Sequence, residues 1–239
     1  MTELLADPNL WASLLTLTAL EIVLGIDNII FISILVGRLP KAVQQRARTI
    51  GLALAMVTRI LLLLSITWVM GLSADLFAVG SIGISGRDVI LIGGGLFLIA
   101  KATHEIHAEL ERRETDGGQN VAAQSFTLVV AQLVVVDLVF SLDSIITAIG
   151  MASDIEIMIG AVVIAMAVMY VASGPVSAFI AAHPTTKMLA LAFLVLIGVA
   201  LVAEGFDFHF PRGYIYFAMG FAAAVEAFNV MASRKRRRT

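Results

Sequence analysis

An all-α membrane protein is the fold class this sequence predicts, with about seven transmembrane helices built from an inverted 3+3 repeat plus one extra C-terminal helix. Three observations carry that prediction. The 239-residue chain is 59% apolar and only 14% charged, against roughly 25% charged in an average soluble domain. Its apolar runs match the roughly 20 residues needed to cross about 30 Å of hydrocarbon. One ten-residue motif, acids included, occurs once in each half of the chain.

The runs fall near 12–37, 48–71, 86–102, 124–150, 157–180, 187–204 and 213–232. The third is short and starts after the turn-prone stretch 80–86, which holds three glycines. Residues 1–9 carry Glu3 and Asp7 and no basic residue, so the positive n-region of a cleavable signal peptide is missing and the first run reads as a retained span. Residues 1–102 form the first three-helix repeat, 103–123 a polar cytoplasmic linker, 124–206 the second and inverted repeat, and 207–239 a seventh helix with a basic tail.

Basic residues fix the orientation, because loops rich in Lys and Arg stay on the cytoplasmic side. Arg38, Lys41, Arg46 and Arg48 follow span one, Lys101, Arg112 and Arg113 follow span three, Lys187 precedes span six, and residues 234–238 are all basic. The opposite side has Arg87 and Arg212 beside Glu3, Asp7, Asp75, Asp154, Glu156 and Asp207. An outside amino terminus, seven crossings of a cytoplasmic (inner) membrane and an inside carboxyl terminus satisfy every loop together. The tail offers too few residues for nucleic-acid binding. In the linker, His104, Glu105 and His107 read as a solvated, charged helix extension, with metal sensing as the alternative.

The repeated motif is EIVLGIDNII at 21–30 and DLVFSLDSII at 137–146, which align without gaps. Glu21 pairs with Asp137, Asp27 with Asp143, and Asn28 with Ser144. Span one runs inward and span four outward, so the copies are antiparallel. Inverted three-span repeats build secondary transporters whose substrate sites gather near the midplane. On a regular helix Glu21, Gly25 and Asn28 share a face, while Asp27 is turned about 120° away. The same holds for Asp137, Ser141 and Ser144 against Asp143. Both acids of a copy reach one cavity only where the helix is irregular, so a break is expected at Gly25 and at Ser141.

An ionised carboxylate at the bilayer centre costs at least about 2.5 kcal/mol. Four in duplicated register mark a functional site more than helix glue. Cysteine is absent, which removes disulfides, thiolate metal sites and cysteine nucleophiles. Carboxylates with Asn and Ser oxygens are hard ligands suited to Mg²⁺, Ca²⁺ or Mn²⁺. The ligand set read from the motif is therefore Glu21, Asp27, Asn28, Asp137, Asp143 and Ser144. The same acids can take up protons, which makes protons a candidate coupling ion.

Arg59, inside span two, reads as a counter-ion to Glu21 or Asp137, or as a static ion pair with them. Glu226 and Asn229, one turn apart in span seven, are accessory candidates for the cavity, with packing favoured. Met56, Met166 and Met169 read as lipid-facing or packing residues. No resident cofactor is expected, and the partners are the lipid bilayer, a divalent cation and protons. A membrane scaffold role for the basic tail is the alternative reading. An aspartyl protease dyad of Asp27 and Asp143 is a distant one, because the GxG that precedes an aspartate in that class is replaced by SL before Asp143.

The segments EIVLGIDNIIF at 21–31, DLVFSLDSI at 137–145 and VAEGFDFHFPRGYIYFAMGFAAAVEAFN at 202–229 resemble the TerC family of integral membrane proteins, over essentially the whole chain. The family's name associates it with tellurium resistance, and several members look like manganese exporters. The resemblance therefore implies a non-enzymatic exporter of Mn²⁺, with the motif acids carried onto Glu21, Asp27, Asn28, Asp137, Asp143 and Ser144.

Overall fold

The computed structural model describes residues 8–79, 82–114, 125–149, 155–208 and 211–236. Among them the chain runs through α1 (Pro8–Leu24), α2 (Ile26–Val36), α3 (Lys41–Leu64), α4 (Ile66–Gly71), β1 (Asp75–Val79), β2 (Ile82–Ser85), α5 (Gly86–Glu114), α6 (Phe126–Ile149), α7 (Ile155–Ala182), α8 (Pro184–Gly205) and α9 (Arg212–Arg236). Six stretches are long and apolar enough to cross a membrane: Leu10–Val36, Lys41–Leu64, Gly86–Glu111, Ile155–Ala182, Pro184–Gly205 and Gly213–Ala232. A shorter apolar segment, Phe126–Leu142, lies in α6.

Three features depart from the sequence expectation. The fold is not purely helical, because β1 and β2 pair as a hairpin where two apolar runs flank Gly80 and Ser81, a two-residue hairpin signal. The second span ends α3 at Leu64 and restarts as α4 at Ile66. There the Ser65 hydroxyl donates back to the Leu61 carbonyl, a bond that competes with regular winding. The third span continues as helix to Glu114, the helix extension that the sequence suggests at His104, Glu105 and His107, and residues 115–124 lie outside the described residues. That extension is not solvated throughout. Glu105 is buried and paired with Lys101 one turn away at 3.0 Å, whereas His107 is exposed and paired with Glu111 at 3.0 Å. The basic tail is described as helix only to Arg236.

The chain divides into two compact units. The first comprises Met1–Leu76, Ser85–Arg87 and Ala122–Ser177, and the second comprises Phe77–Ile84, Asp88–Val121 and Ala178–Thr239. In the first, α3 and α6 run parallel: Leu133 fills the space that a Cβ on Gly51 would take, and Arg59 two turns later meets Asp137 and Ser141. The α1–α2 span runs against α6 and alongside α7, with Leu14 facing Gly160 and Ser33 accepting a hydrogen bond from Ser177 at 2.8 Å.

In the second unit α5 and α8 cross at two glycines. A Cβ on Gly95 would stand 2.6 Å from the Gly198 carbonyl oxygen, and one on Gly198 2.8 Å from that of Gly95. Small residues permit this approach where lipid supplies no hydrophobic drive between helices. The α9 helix exposes Tyr214, Phe217, Phe221 and Phe228 along one side, a surface that suits hydrocarbon.

Candidate functional site

The first unit buries a polar cluster at the crossing of α1–α2, α3 and α6. Helical spacing supplies it. Leu17, Glu21 and Asn28 recur at intervals of four and seven on one buried stripe, as do Leu133, Asp137, Ser141 and Ser144 on α6. Opposite both stripes, α3 presents Ala55 and then Arg59, only 2% exposed.

The Arg59 guanidinium donates three hydrogen bonds. Nη1 reaches Glu21 Oε2 at 2.5 Å, Nη2 reaches Asp137 Oδ1 at 2.9 Å, and Nε reaches Ser141 Oγ at 2.9 Å. Asp137 Oδ1 also accepts from Asn28 Nδ2 at 3.0 Å, and Oδ2 accepts from Ser141 Oγ at 3.2 Å. Ser144 Oγ donates to the Ser141 carbonyl at 3.2 Å. Residues from both motif copies thus meet on one side chain. Removing one partner of such a buried pair typically costs about 3–5 kcal/mol, because the other charge is left uncompensated.

Two carboxylates share this single guanidinium, so the trio carries excess negative charge when all three groups are ionised. Carboxylates beside an amide and hydroxyls are oxygen donors of the kind that hard cations take.

The expected break occurs in the first copy. Gly25 interrupts the helix with φ −85° and ψ −7°, and its N–H is shared between the Glu21 carbonyl at 2.8 Å and the Ile22 carbonyl at 3.2 Å. Met169 of α7 fills the space beside it, so that a Cβ on Gly25 would overlap the sulfur. Beyond the break Asp27 is buried. The second copy does not break: α6 is continuous through Ser141. Serine carries no conformational need for a break, and its hydroxyl is engaged by Arg59 and Asp137 across and along the intact helix.

Of the expected ligands, Glu21, Asn28 and Asp137 are joined directly or through Arg59, Ser144 donates to the backbone of its own helix, and the Asp143 side chain lies outside the described residues. The protease dyad rests on that same side chain. Among the described residues no three or more Asp, Glu or His side chains already stand in metal-holding geometry. Arg59 pairs with Glu21 and Asp137 together. Glu226 accepts hydrogen bonds from Thr185 at 2.5 Å and Thr186 at 3.0 Å, tying α9 to the first turn of α8 in the second unit, while Asn229 is exposed. The Glu226 contacts fit packing.

Two features of the cluster escaped the sequence. Ser141 is a partner of Arg59, which its place opposite Gly25 in the alignment obscured. Met166 and Met169 are buried and line a small cavity with Asn28 and Asp137. Of the two readings open to them, lipid-facing or packing, their burial selects packing.

A chain of membrane-long helices with ion-paired acids at its interior belongs to the class of multi-pass membrane proteins. Residues 6–239 match the model of the integral membrane protein TerC family, and the chain belongs to that family. It is 56% identical over 234 residues to a "UPF0053 protein" of Haemophilus influenzae, covering 98% of this chain and 99% of that protein. It is 51% identical over 231 residues to the "UPF0053 inner membrane protein YgdQ" of Escherichia coli, covering 97% of both chains. It is also 51% identical over 232 residues to the "UPF0053 inner membrane protein YoaE" of Escherichia coli, covering 97% of this chain but 45% of that one. No solved structure matches the chain significantly.

Proposed function

We propose that this protein is a secondary transporter of the inner membrane that exports a divalent metal cation, with Mn²⁺ as the substrate, and that it catalyses no chemical transformation. The observation that carries the reading is the convergence of Glu21 and Asp137, the first acids of the two motif copies, on Arg59 within the first unit. A protein that needed only adhesion between these helices would gain as much from apolar packing, since replacing a buried ion pair by hydrophobic residues is often neutral or stabilising. Buried acids in opposed helices instead suit a cargo that is itself a cation.

On this reading Arg59 offsets one of the two negative charges while no metal is bound, and the cation takes its place. Glu21, Asp27, Asn28, Asp137, Asp143 and Ser144 supply the oxygens, and protons exchange against the metal. Spans one to three and four to six act as the inverted repeats. The amino terminus lies outside and the basic tail inside, following the positive loops. Manganese comes from the kinship with TerC proteins; the donor set itself fits Mg²⁺, Ca²⁺ and Mn²⁺ alike.

Cells lacking the protein should accumulate excess manganese under manganese load, measured as total metal per cell. The wild-type gene should restore the normal level, while Asp27→Asn and Asp143→Asn should not. Equal metal content with and without the protein, or full rescue by both variants, would remove the export role.

A further inference from the structure

The Arg59 cluster divides the interior of the first unit along its length. One small cavity is lined by Asn28, Gly51, Ala55, Asp137, Met166 and Met169, with apolar neighbours. A second is lined by Leu17, Glu21, Leu63, Ile145, Met158 and Ala161, with Val162 beside them. Helix directions put them on opposite sides of the arginine. On α3 the first cavity touches residues preceding Arg59 and the second touches Leu63, one turn after it. On α6 the first reaches Leu133 and Asp137, the second Ile145. On the opposed α1–α2 span the order reverses, with Asn28 in the first cavity and Leu17 and Glu21 in the second. The lining residues of α3 lie about 15 Å apart along its axis, at 1.5 Å per residue.

Each cavity owns one of the carboxylates that Arg59 holds: Asp137 in the first, Glu21 in the second. The first faces the end of the helices that carries Arg38, Lys41, Arg46 and Arg48, and the second faces the other end. We propose that these cavities are two half-sites for a divalent cation, separated by Arg59, which acts as the partition of the transport path. This rests on the transport function proposed above and deepens it.

A cation entering the first half-site meets Asp137 and Asn28 and competes with Nη2 for Asp137 Oδ1. The guanidinium, released on that side, keeps its bond to Glu21. Passage to the second half-site then requires release of Glu21. Because the two bonds leave from different nitrogens, they can be broken one at a time, and the side chain keeps one carboxylate partner at each stage. A fixed positive charge in the middle also opposes free leakage of cations while both bonds are made. Met166 and Met169 complete the wall of the first half-site, while its oxygen donors are those of Asp137 and Asn28.

The chain lacks cysteine, so single cysteines can be placed in the otherwise native protein. Ala55→Cys probes the first cavity and Ala161→Cys the second. In sealed vesicles of known sidedness, a small membrane-impermeant cationic thiosulfonate should modify Ala55→Cys from the face bearing the basic loops and Ala161→Cys from the opposite face. Each should react at least about tenfold faster from its own face. Arg59→Lys keeps the charge but cannot span Glu21, Asp137 and Ser141 together. In that background Ala161→Cys should also become reactive from the basic face, while Ala55→Cys retains its own reactivity and reports an intact fold.

Mn²⁺ flux is measured in the same vesicles. Flux by the wild type, opposite-sided labelling of the two cysteine variants and loss of sidedness with Arg59→Lys support the partition. Flux with both cysteines reacting from one face, with neither reacting, or with sidedness unchanged by Arg59→Lys overturns the partition and leaves transport standing. Absence of divalent flux from the wild type overturns the transport function itself and the half-sites with it.

Discussion

Aligned residue for residue, the two motif copies differ most at Gly25 and Ser141, and each position explains the helix around it. Gly25 has no side chain, so Met169 packs its sulfur against the backbone and the helix is interrupted one turn after Glu21. Ser141 keeps its helix regular and spends its hydroxyl on Arg59 and Asp137. One copy therefore contributes an irregular backbone and the other a denser hydrogen-bond network. Asp137 accordingly has three partners, Arg59, Asn28 and Ser141, where Glu21 has Arg59. A duplicated motif does not imply duplicated roles.

The largest effect should come from erasing what the copies share. Arg59→Met leaves Glu21 and Asp137 without their common counter-charge and should destabilise the protein by about 3–5 kcal/mol. Thermal unfolding in detergent, read as a lower Tm, checks this. A variant as stable as wild type would mean that the carboxylates are not ionised together.

The asymmetry between the acids predicts the next effect. Asp137→Asn removes the charge that three groups contact and should lower both Tm and the proposed cation export more than Glu21→Gln, which loses one charge-assisted bond worth about 1.5–3 kcal/mol. Equal losses would show that the copies are functionally equivalent despite their contacts.

The smallest effects separate the break from the network. Gly25→Ala should cost about 1–3 kcal/mol by overpacking against Met169, and Met169→Ala in the same chain should recover part of it. Ser141→Ala should cost about 1 kcal/mol in lost hydrogen bonds and leave α6 helical. If Gly25→Ala is neutral, Met169 moves freely and the glycine is not required for space.

The spans were legible because burial in lipid is written in one dimension, as uninterrupted apolar length, and six stretches plus the apolar part of α6 appear as helices of the expected order. The break at Gly25 was legible as well, because a glycine lies between two acids on different faces. Its counterpart at Ser141 was misread, since alignment transferred a backbone property between residues whose side chains do different things. The second interruption, at Ser65, gave only a lone serine in an apolar run, a feature that many regular helices share.

Arg59 could be found as a buried charge, but not its simultaneous hold on both acids. That depends on α3 packing parallel to α6 through Gly51 and Leu133, a contact between distant segments that leaves no local pattern. The same is true of Met166 and Met169, whose burial is decided by the neighbouring helices.

The most direct test of the transport function is metal flux into sealed proteoliposomes holding the purified wild type or Asp137→Asn, with and without an imposed pH gradient, comparing Mn²⁺, Fe²⁺, Ca²⁺ and Mg²⁺. The expected result is Mn²⁺ flux in the wild type that the proton gradient accelerates and that Asp137→Asn abolishes. Liposomes holding wild-type protein that pass none of these ions faster than empty ones would contradict it.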